Sequence, residues 1–442
     1  PTDEALKYDM EILQKLGMNL SRKHIKIEPS RWYYHCDKMG ILVWQDIPNP
    51  GFGKEGKIIG EENLDLRENF HDEMTRIVES LSNHPSIVMW VVYNESWGQP
   101  GESVSKQGVD IVRELDDTRL VSIASGWNDY EYGDIKDTHW YPQPNVLPNP
   151  HNERISVCGE YGGITLMVDG HRWLGGSDMT YTRVSSSEEF KDTFVQFSDD
   201  ILNLQASGLN AAVYTQISDL EDEENGLMTY DRKVLKVSDE QVKEIKQTIE
   251  KNYTHTSKKI IPTARLKSTN TWKYLSTSEP LKDKKWTQFN FSDNEWSYGN
   301  AGFGNGGLQG ANINTSWNTS HIYLRKYISF ESLKTEDLDN LRIQVFHDED
   351  CEIYINGVLA AKLDGFSNRY VFTEISENAK QTIKLRGDNL LAVSCINTVG
   401  NQFIDLGFIL TNIPLESLGY TPNDADVAFD AFHNQFFDEE KQ

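Results

Sequence analysis

Residues 4–16 place their apolar side chains at helical spacing on a charged background, and Gly17 stops the run, so an amphipathic helix is predicted there. An extended piece follows over 18–24, then a helix over 29–38 and a strand over 41–46. Residues 62–83 read as a long helix that delivers the run from Ser86 to Glu95. That run is rich in Val, Ile, Trp and Tyr, which suit a buried strand, and Pro85 blocks a helix from entering it. Further strands are predicted over 120–125, 135–141, 155–160 and 211–218, with helices near 104–116, 188–206 and 240–251.

Strands alternating with helices at this spacing argue for a parallel sheet with helical crossovers. Seven such strands in roughly 250 residues suit a (β/α)8 TIM-type barrel better than a doubly wound sheet. The first helix has no strand before it, so the first barrel strand is expected upstream of Pro1, and residues 1–255 read as an N-terminally truncated barrel. After Asn252 the character changes. Residues 256–268 read as a linker. Residues 269–413 show short alternating segments, among them 322–328, 341–347, 352–355, 381–385 and 390–396, with Asn356-Gly357 as a hairpin signal; they read as an all-β sandwich. Residues 414–442 form an acidic tail. The Gly-rich stretch 302–307 lacks the lysine and helix of a phosphate loop.

Charge narrows the function. The chain has 43 basic and 68 acidic residues, a formal net charge of -25, which repels phosphate backbones and anionic membranes. Nucleic-acid binding and membrane insertion are therefore not expected, whereas a neutral ligand such as a carbohydrate suits the surface. Cys36, Cys158, Cys351 and Cys395 have no metal-type spacing, and free buried thiols are expected. The acidic run Asp219–Glu224 lacks the ligand order of a calcium loop and reads as a solvated loop. No cofactor or metal is expected. No run is long enough to span a bilayer, and no signal peptide is visible.

The strand ends carry the chemistry. Arg22 and His24 close the first, Gln45 and Asp46 the second, Asn94 and Glu95 the third. Ser125 and Trp127, His139 and Tyr141, Glu160 and Tyr161, and Gln216 and Asp219 close the others. A single polar strand end is ordinary, but a barrel gathers all of these on the face where active sites sit. Glu95 and Glu160 each follow an apolar strand and stand beside aromatics. Retaining glycoside cleavage needs two carboxyls about 5–5.5 Å apart, one as acid/base and one as nucleophile. Asn94 is placed to hold a sugar 2-hydroxyl, and Tyr141 or Tyr161 to donate to the nucleophile. Trp127 is a stacking platform, whereas Trp44 and Trp90 lie inside strands and read as core. The Gly-rich segment 162–186 is a candidate substrate wall.

Asn94-Glu95, Gly159-Glu160-Tyr161-Gly162, Asn19-Leu-Ser-Arg-Lys-His24 and Tyr33-Tyr-His-Cys-Asp-Lys-Met-Gly40 together resemble glycoside hydrolase family 2, which includes β-galactosidases, β-glucuronidases and β-mannosidases. The resemblance covers residues 1 to 255. It implies a retaining exo-β-glycosidase with Glu95 as acid/base and Glu160 as nucleophile, acting on an oligo- or polysaccharide. Asn94, His24, Arg22, Asp46, Trp127, His139, Tyr141, Tyr161 and Gln216 are the substrate-binding candidates. It also implies β-sandwich domains before the barrel, and a periplasmic or extracellular setting is expected. Departures are visible. Asn225-Gly-Leu227 lacks the lysine with which glucuronidases of the family grip a carboxylate, and Lys23 and Ile25-Lys26 replace a stretch common in galactosidases. Residues 286–390, with Trp286, Trp296 and the Asn356-Gly357 hairpin, resemble galactose-binding-like jelly rolls. One competing reading is a carbohydrate-binding or scaffold protein without catalysis, which predicts loss of a carboxylate where both are present; another is an inactive piece of such an enzyme. A metal-dependent barrel hydrolase would want a His-x-His pair after the first strand.

Overall fold

A computed structural model of the chain describes residues 2–49, 64–96, 98–146, 154–173, 180–206, 208–264, 270–307, 311–367, 370–415 and 418. Trp97, the end of the expected linker and nearly all of the acidic tail lie outside them. The chain divides into two compact units, one formed by Pro1–Val146 and Glu153–Thr254, the other by His255–Tyr420.

In the first unit, helix α1 (Asp3–Leu16) begins where the Thr2 hydroxyl accepts from the Ala5 N–H and ends at Gly17 in the left-handed conformation. Strand β1 (Leu20–Lys23), helix α2 (Ser30–Met39), β2 (Leu42–Asp46), α3 (Leu64–Leu81), β3 (Ile87–Asn94), α4 (Glu102–Leu115), β4 (Leu120–Ser125) and β5 (Ile135–His139) follow. Then come β6 (Ile155–Gly162), α5 (Ser187–Ala206), β7 (Leu209–Thr215) and α6 (Asp239–Thr254). Each falls within a few residues of its predicted place. Strand β3 reads as a continuous apolar run because it is covered on both sides. Met89 and Val91 pack with Trp44, Ile135 and Val157, while Trp90 and Val92 pack with Phe70, Met74 and Val78 of α3.

The seven strands expected of the truncated barrel do not pair as one continuous sheet. The seven strands form two parallel sheets, β1-β2-β3-β4 and β5-β6-β7, with β1 and β7 as edges among the described residues. The helix–strand alternation also lapses between β4 and β5. There residues 126–134 turn without a helix, and the Asp134 carboxylate takes the Val121 N–H at 2.8 Å and Arg113 at 2.7 Å.

The second unit is a sandwich of two six-stranded sheets, antiparallel except where Phe303–Asn305 runs parallel to Thr315–Ser316. One runs Thr315–Ser316, Phe303–Asn305, Gln402–Thr411, Leu341–Asp348 and Val371–Glu374, with Ser257–Ile261 also on Gln402–Thr411. The other runs Ser297–Asn300, Thr271–Thr277, His321–Ser329, Asp388–Ile396, Cys351–Ile355 and Val358–Leu363. Ile322, Leu324, Ile353 and Val393 of one sheet share a core with Ile343, Val345, Leu406 and Phe408 of the other.

Two expectations fail here. The linker is not a linker, since Ser257–Ile261 pairs with Gln402–Thr411 and Ile261 is buried. Residues 381–385 are not a strand: a short helix, Glu377–Lys380, capped by Ser376 leads into turns held by the Asn389 side chain on Lys384. All four cysteines are free and buried, as expected. No helix among the described residues is long and apolar enough to cross a membrane.

Candidate active site

Strand alternation decides what β6 offers. Tyr161 turns to the helix side and packs edge-on against Phe197 and Tyr214, so Glu160 turns to the opposite face, at the strand's C-terminal end. Three strands hold Glu160 there. Arg22, from β1, donates through Nη1 to Glu160 Oε1 at 2.8 Å. Its Nη2 donates to Asn94 Oδ1 at 2.6 Å, and Nη2 and Nε fork onto the two Asp46 oxygens at 2.8 and 3.1 Å. The Tyr141 hydroxyl donates to Glu160 Oε2 at 2.7 Å, with Thr215 Oγ1 2.9 Å from the same phenol. Burial alone would raise the Glu160 carboxyl. The charges of His139, Arg22 and His24 and the Tyr141 hydroxyl outweigh burial and hold the carboxyl at about 2. Arg22 is itself pushed down by burial and more strongly up by Asp46 and Glu160, so it stays cationic.

Glu95 follows β3 in the left-handed region, φ 47°, and Ser96 follows at φ 65°; for side chains this is a strained turn, and it ends the strand abruptly. The Glu95 N–H is held by Ser125 O at 2.8 Å. His139, fully buried, lies between the two carboxyls. Its Nδ1 is 2.6 Å from Glu95 Oε1 and 3.4 Å from Glu160 Oε2, and its Nε2 is 2.8 Å from Ser125 Oγ. Ser125 has one hydroxyl proton, given to the Asp137 carboxylate at 2.6 Å, so its oxygen accepts from His139 Nε2–H. Nδ1 is therefore the atom that shares a proton with Glu95. Burial pulls the imidazole down, but Glu160, Glu95 and Asp137 pull it further up, which keeps that proton in the pair.

Oxygens of Glu95 and Glu160 and a His139 ring nitrogen all lie within 4.8 Å of one another. The trio has the donors and span of a cation site, and Nδ1 is engaged by Glu95. Beneath it, Asp137 also takes the Gly159 N–H at 2.6 Å. A Cβ on Gly159 would lie 2.3 Å from Asp137 Oδ2, which explains the glycine before Glu160.

The remaining candidates divide. Trp127, half-buried, stands edge-on to His139 with centroids 6.0 Å apart, and His24 is exposed at the same cleft. Gln216 lines the cleft, its amide bound to Glu223 and Asn225. Asn94 is buried and its Oδ1 is spent on Arg22, so what it offers a ligand is its NH2. Two candidates are corrected. Tyr161 is a core residue, because the strand points it away from Glu160. Asp46 is a support, because Arg22 occupies both its oxygens and the Ile25 N–H takes Oδ2 as well. The acidic run is corrected too: Asp219 and Glu224 are buried rather than solvated, and Glu223 lines the cleft.

Several residues escape sequence reasoning. Tyr181 stacks on Tyr141 with centroids 3.9 Å apart and rings 12° from parallel, inside the segment expected to form a wall. Thr215 gives no signal. Asp137 does give one, a carboxylate in the middle of a buried strand. The cleft, about 1070 Å³, holds Glu95, Glu160, Trp127 and Tyr181 and also extends along the open edges of β1 and β7 past Leu20, Leu209 and Ile249.

The chain is 23% identical over 259 residues to a β-glucuronidase of Bacteroides fragilis, which covers 52% of this chain and 36% of the relative. It is 28% identical over 167 residues to a β-galactosidase of Priestia megaterium, covering 35% of this chain and 16% of the relative. The chain thus spans well under two thirds of these relatives. Among solved structures, a Bacteroides uniformis β-glucuronidase aligns over 92% of this chain and 63% of its own, with a TM-score of 0.42 and 11% identity. Residues 2–255, more than half of the chain, match the family model described as glycosyl hydrolases family 2, TIM barrel domain, and the chain belongs to that family.

Proposed function

We propose that the protein is a retaining, exo-acting β-glycosidase that releases a terminal non-reducing sugar through a covalent glycosyl-enzyme. The observation that supports this reading is a pair of carboxyls that bring one oxygen each within 4.8 Å of the other, with Glu160 held ionised. So close an approach suits direct attack by a carboxylate better than the wider separation that lets an inverting enzyme hold a water between the two.

Glu95 gives its proton to the glycosidic oxygen as Glu160 attacks the anomeric carbon; the C–O bond breaks and the aglycone leaves. Glu95, now a carboxylate, takes a proton from water, which attacks the same carbon and frees Glu160. Two inversions retain configuration. Arg22 and Tyr141 keep Glu160 ionised and aimed, Asp46 fixes Arg22, and His139 orients Glu95. The Asn94 NH2 donates toward the 2-hydroxyl, and Trp127 and Tyr181 flank the sugar. An oligo- or polysaccharide is the implied substrate. The sandwich of the second unit is read as a galactose-binding-like jelly roll, on its clustered Trp286, Trp296 and Tyr354 and the Asn356-Gly357 hairpin.

Glu160→Gln and Glu95→Gln should each lower hydrolysis of an aryl β-glycoside by on the order of 10³-fold or more. Azide should rescue an activated substrate in Glu160→Gly with inversion and in Glu95→Ala with retention. Full activity in either carboxyl variant would overturn the assignment.

A further inference from the structure

Three carboxylates of the acidic run turn inward, and the fold treats them differently. Asp219 is paired with the buried Lys236 at 2.7 Å, and Glu224 is paired with Arg172. Glu223 has no cationic partner among the described residues. Its contacts are amides, Gln216 Nε2 at 3.0 Å and Asn225 Nδ2 at 3.5 Å, and both donate to Oε2. Those amides are tied to each other, Gln216 Nε2 to Asn225 Oδ1 at 2.9 Å, so the carboxylate is fixed. It lines the cleft that holds Glu95 and Glu160. Burial raises its carboxyl most, the Asn225 amide lowers it, and the charges of Glu160, Asp222 and Glu95 raise it further. This fixed, half-buried carboxylate has no counter-charge among the described residues and keeps Oε1 clear of the two amides, so that oxygen is placed to accept from a ligand in the cleft.

We propose that Glu223 sets the substrate class, accepting a hydrogen bond from a hydroxyl of a neutral sugar and shutting out sugars that carry a carboxylate. This rests on the glycosidase reading and goes beyond it by naming the residue that selects. A uronate would bring a fourth carboxyl into a cleft that already holds Glu95, Glu160 and Glu223, where Arg22 is spent on Glu160 and Asp46 and both Lys23 and Lys26 pair with Glu28. Repulsion at an effective dielectric near 20 should disfavour it by on the order of 10²-fold.

The test is Glu223→Gln. Gln216 and Asn225 both donate toward Oε2, so the new amide must turn its oxygen to them and present its NH2 to the sugar. An acceptor becomes a donor. In the wild type, an aryl β-hexoside should be preferred to the matching aryl β-hexuronide. Glu223→Gln should lower kcat/KM for the hexoside by about 10- to 100-fold and raise it for the hexuronide. Glu223→Asp, with an unchanged melting temperature, should keep the neutral preference at lower activity. An unchanged hexoside-to-hexuronide ratio in Glu223→Gln overturns the proposal while leaving the Glu95 and Glu160 assignment intact. A wild-type preference for an aryl β-aminohexoside overturns it in favour of an ammonium partner. Should the wild type hydrolyse none of these, the glycosidase reading falls, and calorimetry decides the selection alone: glucose, galactose and mannose should bind more tightly than their uronates, and Glu223→Gln should remove the difference. Equal binding of both classes by the wild type overturns it.

Discussion

Tyr141 shows how much of this site depends on single hydrogen bonds. Its phenol, buried under Tyr181, gives Glu160 one of the interactions that oppose burial. Tyr141→Phe removes that interaction and keeps the ring stack, so the Glu160 carboxyl should rise from about 2. The sign follows directly: a depressed carboxyl is ionised down to low pH, and any rise brings protonation, hence loss of the nucleophile, at higher pH. The acid limb of kcat/KM against pH on an activated glycoside should move upward in the variant, with the alkaline limb unmoved; an unmoved acid limb contradicts the assigned role. At this scale the residue types are legible in sequence and the pairings are not. Arg22, Asp46 and Asn94 are recognisable as polar strand ends, but 24 and 72 residues separate Arg22 from the partners that turn it into a clamp. Gly159 is readable as part of a motif, yet its reason, the Asp137 carboxylate against its Cα, lies 22 residues upstream.

At the scale of elements, runs of β-branched and aromatic residues reveal the buried strands because burial on two faces leaves little else possible. Ser257–Ile261 is missed for the opposite reason: its first residues are half-buried or exposed, so Ser-Lys-Lys-Ile-Ile has the polarity of a connector. Its partner strand Gln402–Thr411 is buried almost throughout and contains Asp405, which no alternation would place there. Asp405 Oδ2 accepts from the Tyr370 hydroxyl at 2.5 Å and the Ala264 N–H at 2.6 Å, but burial pushes its carboxyl up to about 7. A raised carboxyl binds its proton more tightly folded than unfolded. Its contribution to stability is full below the unfolded value near 3.8 and is lost as pH rises through 7. Denaturation of the second unit should therefore show a loss on the order of 4 kcal/mol between pH 4 and 8 from this group. Asp405→Asn should flatten that slope and be the more stable form at pH 8. An identical pH slope in wild type and variant would contradict the burial argument.

For the molecule as a whole, the excess of 68 acidic over 43 basic residues acts at longer range than any contact in the cleft. Composition reveals this sign of field and its bias toward neutral ligands, but not where selection occurs, because Glu223 sits in a run that reads as ordinary surface charge. The two effects separate by ionic strength. Fields from surface charge are screened over about 10 Å at 0.1 M salt and about 3 Å at 1 M, whereas a half-buried carboxylate against a bound ligand is screened much less. For the wild type, kcat/KM on a neutral aryl glycoside should stay flat from 0.05 to 1 M NaCl on the order-of-magnitude scale that screening sets. On an aryl uronide it should rise with salt as the net charge of -25 is masked, yet remain below the neutral substrate at the highest salt. Glu223→Gln should shift the uronide curve upward at every salt concentration without changing its slope, since one charge in the cleft is removed and the surface field barely changes. If salt alone brought the wild-type uronide up to the neutral substrate, selection would belong to the surface field and Glu223 would have no part in it.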